Sequence, residues 1–173
     1  MILTGNQIKK EVESNKISIV PFNENNLSTN SYDLTLGNHF IKYKEKTIDP
    51  KRENSYEALV VNDGKFLKLD AGDFYLASSR EVVGSNYFVP LIHAKSGIAR
   101  LGLFVHVTAD LIDIGSRGNI TFQLYATLPC KIYVGQKIAQ VTFWKPYGDI
   151  KLYNGKYQGS SGPKASQIYK DFQ

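Results

Sequence analysis

The chain has 173 residues, 42% hydrophobic and 21% charged, a globular balance long enough for one domain with its own core. Its formal net charge of +5 favours anionic ligands, and the absence of a long basic run argues against a nucleic-acid tail. The single cysteine, Cys130, excludes an internal disulfide, and no apolar run reaches the roughly eighteen residues of a membrane span. A cytoplasmic setting is therefore expected, the more so because MILTGNQIKKEVES is too polar for a signal peptide.

The first fourteen residues read as a short helix. Thr4 and Gln7 have the spacing of a capping box, Ile8 and Val12 share one face, and Asn15 is a plausible stop. From Ile17 the texture changes. Runs at Ile17–Val20, Lys68–Ala77, Leu103–Val107, Ile120–Ala126 and Lys137–Phe143 are short and rich in β-branched and aromatic residues. Gly37, Gly64, Gly72, Pro90, Gly115, Gly118, Pro129 and Gly135 punctuate them. Such spacing predicts an all-β sandwich or barrel, and no helical pattern long enough for a βαβ crossover follows. Residues 42–57 are polar and read as an exposed excursion. The tail, 153–173, is rich in Gly, Ser and Lys and is expected to be mobile unless something orders it. No repeat or linker divides residues 1–173, so one domain is expected. His39, His93 and His106 lack metal-ligand spacing, and His106 reads as a structural mid-strand residue.

Five stretches, in order, carry a family resemblance. They are Pro21 through Ser31-Tyr32-Asp33-Leu34-Thr35-Leu36-Gly37, Leu69 through Ser78, Lys95-Ser96-Gly97-Ile98-Ala99-Arg100-Leu101-Gly102-Leu103 running on to Ile112-Asp113, Gly135-Gln136-Lys137-Ile138-Ala139-Gln140, and Lys156-Tyr157-Gln158-Gly159 with Gly162-Pro163. Together they resemble the dCTP deaminase/dUTPase family across nearly the whole chain. The resemblance implies a distorted β-barrel or jelly-roll subunit. It also implies a homotrimer with active sites between subunits, acting on dUTP- or dCTP-type nucleotides with Mg²⁺, and no nucleic-acid or membrane partner.

The same resemblance assigns roles. Lys95-Ser96-Gly97 matches a phosphate-binding turn in which Arg is commoner at the first position; a glycine there allows close backbone approach to an anion. Asp113 matches the residue that activates the attacking water, a general-base role within the chemistry of a carboxylate. Asp33 matches an Asp that helps place the magnesium-bound triphosphate, indirectly, since magnesium keeps several waters; a carboxylate satisfying backbone N–H groups is the competing reading. Arg100 matches an Arg near the pyrimidine in the deaminase branch, with an inter-subunit ion pair as the alternative. Gln140 matches a phosphate-contacting Gln, and Lys156 with Tyr157 a tail that closes over the triphosphate. Ser160 and Gln167 depart from that tail pattern, where Gln and Arg are usual.

The strand after the Asp113 motif carries Gln123 where the deaminases have a catalytic Glu. A one-cysteine chain cannot hold the zinc-deaminase signature; the resemblance implies that the deaminases work without zinc and use this carboxylate as the proton shuttle. Gln is nearly isosteric but is no base near neutral pH. It still offers a base two hydrogen-bonding groups, an N–H₂ for the O4 of uracil and a carbonyl for the N4 of cytosine. The expectation is a dUTP diphosphatase, with dCTP deaminase or a bifunctional enzyme as the first alternative and a catalytically impaired nucleotide-binding regulator as the second.

Overall fold

Thr4 opens the helix Gly5–Glu13 (α1) as expected, its hydroxyl accepting from Gln7 N–H at 3.4 Å. The reciprocal half of the capping box is absent, because the Gln7 side chain donates instead to Glu11 at 2.7 Å. The helix stops where Asn15 takes a positive φ of 59°, and Ile8 anchors it in the core with no exposed surface.

The computed structural model describes residues 1–173. The strands are Ile17–Val20 (β1), Tyr32–Tyr43 (β2), Tyr56–Val60 (β3), Phe66–Leu69 (β4) and Phe74–Ser85 (β5). They continue with Val89–Ala94 (β6), Leu103–Phe104 (β7), Arg117–Ala126 (β8), Cys130–Tyr133 (β9) and Lys137–Trp144 (β10). A helical turn, Ser96–Ala99 (α2), follows β6. No helix is long and apolar enough to cross a membrane.

An eight-stranded sheet runs β6-β10-β2-β5-β8-β7, with β1 added to β5 and β3 to β2. All its pairings are antiparallel, and it curls into a nearly closed, barrel-like sheet. Curvature has an identifiable source: β2 slips register between Leu36 and Phe40, and β5 between Ser78 and Val82 against β8. The buried polar Glu81 sits at the second bulge, where its carboxylate accepts from the Thr35 N–H at 3.0 Å and hydroxyl at 2.8 Å. Burial pushes its pKa up, and the two bonds from Thr35 oppose that shift.

One cluster of 25 buried residues fills the interior, with Tyr32, Phe40, Phe122 and Phe143 as its largest members. Cys130 is free and only partly exposed, and burial pushes its thiol pKa up, so it is no activated nucleophile.

The strand pattern departs from expectation in two places. The run Lys68–Ala77 is two strands of different sheets: β4 pairs β9, and a turn at Gly72, with φ of +88°, separates it from β5. In Leu103–Val107 only the first two residues are strand, so His106 lies in a loop rather than mid-strand. The excursion after β2 keeps the expected exposure but is ordered internally. Glu45 pairs with Arg52, which holds its carboxyl at about 2, and the Asn54 amide donates to Asp49 O at 2.8 Å.

Phe122 is 1% exposed at the barrel centre. Phe122→Ala is expected to lower unfolding free energy by about 3–5 kcal/mol, read by urea denaturation; a loss under about 1 kcal/mol would contradict this packing.

Candidate active site

Strand alternation separates two jobs on β8. Phe122, Leu124 and Ala126 are buried in the core, so Asn119, Thr121 and Gln123 fall on the opposite face. There they line a cavity of about 660 Å³ with Asp113, His106 and residues of the tail. The Gln123 backbone N–H donates to Val105 O at 2.9 Å, and its side-chain carbonyl accepts from Val107 N–H at 3.1 Å. One half of the amide is thereby used. The Nε2 group, a donor only, has no partner within the chain.

Asp113 begins a turn closed by Ser116 N–H to Asp113 O at 3.0 Å, with Gly115 at φ +91°. Asp113 lines the cavity and makes no ion pair. His106 contributes the one buried side-chain polar atom without a partner, Nδ1. Neighbouring His93 has its pKa lowered by burial and then by His106, while its Nε2 meets the Thr142 hydroxyl at 3.1 Å. No sequence pattern marked His106 as cavity-lining. The excursion also reaches the cavity through Tyr43 and Ile48, which composition alone did not signal.

The tail, expected to be mobile unless ordered, is ordered along β8. Tyr153 N–H donates to Ile114 O at 2.8 Å, Gly159 N–H to Arg117 O at 2.9 Å, and Asn119 N–H to Ser160 O at 2.8 Å. Lys164 N–H then reaches Thr121 Oγ1 at 3.1 Å, and Ser166 N–H the Tyr43 hydroxyl at 2.8 Å. Tyr153, Tyr157, Ser160 and Lys164 become cavity wall. Lys156 does not: its ammonium pairs with Asp171 at 2.5 Å.

The other expected site residues gather elsewhere. β10 lies between β2 and β6, and its register sets Gln140 opposite Asp33 on one side and His93 on the other. Lys95 then meets Asp33 at 2.6 Å, with Lys137 at 3.8 Å from the second carboxylate oxygen. Gln140 accepts from the Ser31 hydroxyl at 2.8 Å and donates to Ala94 O at 3.3 Å. Ser96 and Gly97 follow Lys95 at the surface, and Arg100, exposed, ends α2. None of these residues lines the cavity. Within one chain the expected residues fall in two places: a pocket around Gln123 and Asp113, and a lysine-rich cluster around Asp33. No group of three or more His, Cys, Asp or Glu side chains is placed to cage a metal. Asp33 is engaged by two lysines, one at each carboxylate oxygen.

A family model described as dCTP deaminase-like matches residues 2–146. A protein of Clostridium botulinum (strain Eklund 17B / Type B), named dCTP deaminase, dUMP-forming, is 40% identical over 100% of this chain and 99% of its own. A protein of the same name from Leptospira biflexa is 37% identical over 100% of this chain and 99% of its own. Among solved structures, a 2'-deoxycytidine 5'-triphosphate deaminase from Agrobacterium tumefaciens superposes with a TM-score of 0.65 at 19% identity, over 82% of this chain. The match spans about half, 47%, of that crystallised chain, and it speaks to the fold.

The tail contact generates a test. A Cβ on Gly118 would stand 2.7 Å from Ser160 N and 2.8 Å from Ser160 O. Overpacking of this kind costs about 1–3 kcal/mol, so Gly118→Ala should speed limited proteolysis within 153–173 by roughly tenfold, with the barrel still folded. Unchanged cleavage would show that the tail does not lie where described.

Proposed function

The chain belongs to the dCTP deaminase-like family, and from that premise we propose that it is a dUTP diphosphatase, converting dUTP and water to dUMP and pyrophosphate. One observation carries the choice of base: Val107 N–H occupies the Gln123 carbonyl, leaving an amide N–H₂ as the group available to a ligand. A donor at the ring 4-position complements the O4 of uracil and opposes the N4 amino group of cytosine. One of that carbonyl's two lone pairs is already used on the backbone, while both N–H groups of the amide are free.

The reaction then needs no proton shuttle at the base. Asp113 removes a proton from water as its oxygen attacks the α-phosphorus, and the bond from that phosphorus to the bridging oxygen breaks, releasing pyrophosphate. Lys95, Ser96, Gly97 and Gln140, with Asp33 orienting Lys95, would bind the phosphates. They do so from a neighbouring copy in a homotrimer, because in one chain they lie away from the Asp113 pocket. Arg100 would be delivered to the pocket in the same way. Tyr157 borders the nucleotide from the tail, and Lys156 reaches the triphosphate by exchanging Asp171 for a phosphate oxygen. Magnesium would travel on the triphosphate, neutralising its charge, with Asp33 contributing through water.

A second reading is favoured by the relatives' names: a deaminase that forms dUMP from dCTP. It requires another group to move protons at the ring, a role Gln123 does not fill. The third, a nucleotide-binding regulator, is favoured by Gln123, Ser160 and Gln167 together.

Purified protein with magnesium should yield dUMP and pyrophosphate from dUTP and no ammonia from dCTP. Asp113→Asn should lower the rate by about 10²- to 10⁴-fold. Gln123→Glu should gain ammonia release from dCTP. Ammonia from dCTP with the wild-type chain would overturn the proposal, and nucleotide binding without turnover would select the regulator.

A further inference from the structure

Asn119 uses its backbone N–H and both ends of its side-chain amide. Its backbone N–H donates to Ser160 O at 2.8 Å. Its side-chain carbonyl accepts from Gly162 N–H at 3.1 Å. Its side-chain N–H₂ faces three carbonyls, Ser79 O at 3.0 Å, Glu81 O at 3.2 Å and Arg80 O at 3.3 Å. Those three belong to the β5 bulge, where the register against β8 slips between Ser78 and Val82. A bulge leaves ladder groups without strand partners, and Asn119 supplies the missing donor.

The two ends of this one amide therefore hold two different things. The nitrogen fixes the side chain to an irregular but internally bonded part of the barrel; Ser79 adds a hydroxyl bond to Glu81 O at 2.6 Å and accepts from Ile120 N–H at 2.9 Å. The oxygen is then pre-aimed at the tail. Of the residues on this face of β8, Thr121 also holds the tail, through Lys164 N–H at 3.1 Å, but its side chain has no bond to the bulge. Neighbouring Gly118 permits the approach, since any Cβ there would strike the Ser160 backbone.

We propose that Asn119 is a positioning residue that sets the register of the tail over the pocket, using the β5 bulge as its fixed reference. It would not touch the reacting atoms. It would act through Ser160–Gly162, whose placement brings Tyr157 and Lys164 to the cavity wall. As a statement about dUTP turnover this rests on the diphosphatase reading; as a statement about tail registration it does not.

Hydrogen exchange on the full chain separates the two. Asn119→Ala should speed exchange at the Gly162 and Lys164 amides at least tenfold, while amides in β2 and β10 keep their wild-type rates. In turnover, the KM for dUTP should rise several-fold with a smaller change in kcat. Asn119→Asp keeps an acceptor for Gly162 N–H and should recover part of the tail protection. Wild-type exchange at Gly162 in Asn119→Ala would overturn the proposal. So would a uniform rise across the barrel in both variants, which would make Asn119 a general stabiliser of the bulge. Loss of tail protection in a chain that turns over no dUTP would uphold the registration and refute only the diphosphatase reading.

Discussion

In the proposed diphosphatase, the hydrogen bond from Val107 N–H to the Gln123 side chain would decide what the pocket offers a base. It takes one lone pair of the amide carbonyl for the protein's own backbone at 3.1 Å and leaves the N–H₂ donor unpaired. A carboxylate at this position would accept the same backbone bond with one oxygen and keep the other as a base. The amide keeps the shape and the backbone contact, and exchanges a proton acceptor for a proton donor. The rest of the pocket is arranged around that group. β8 alternation presents Gln123 to the cavity while Phe122 and Leu124 anchor the strand in the core. The tail then roofs the cavity through bonds to Arg117, Asn119 and Thr121 of the same strand.

The division of the site into two places follows from the sheet order. β10 brings Asp33, Lys95 and Gln140 together across β2 and β6, while Gln123 and Asp113 belong to β8 and the turn before it. With β2 and β5 standing between β10 and β8 in the sheet, the two clusters do not line one cavity within a chain. In the proposed homotrimer a neighbouring copy would bring the phosphate-binding cluster to the base pocket. The lysine cluster has meanwhile an internal anion: Asp33 engages Lys95 and Lys137, and Asp171 engages Lys156. Each carboxylate occupies an ammonium that phosphate oxygens are suited to meet.

Much of this was legible in the sequence, and the exceptions have physical reasons. The short β-rich runs and their turn residues predict the barrel, and the ordered motifs point to Asp113, Gln123 and Tyr157, which share one cavity. Lys95, Asp33 and Gln140, read in the sequence as parts of the same site, stand together but away from that cavity, as do Arg100 and Lys156. What periodicity does not reveal is where a run breaks. Lys68–Ala77 reads as one strand because the turn residues Asp70, Gly72 and Asp73 sit inside an otherwise β-rich run, where they reverse the chain into another sheet. His106 reads as strand because Leu103–Val107 is rich in β-branched and aromatic residues, yet β7 ends at Phe104. The roles of Tyr43 and Ile48 depend on how a polar loop folds back, and those of Asn119 on a bulge, and neither leaves a local signal. The tail looks unstructured in composition because its order comes from backbone bonds to β8 rather than from apolar packing.

The central claim is that the pocket presents a donor to the ring 4-position. Calorimetric titration with non-hydrolysable α,β-imido dUTP and α,β-imido dCTP tests it without depending on catalysis. A polar group left facing a like partner costs about 1–3 kcal/mol, so the dUTP analogue should bind roughly tenfold or more tightly. Equal affinity, or preference for the dCTP analogue, would contradict the orientation of Gln123 and the function drawn from it.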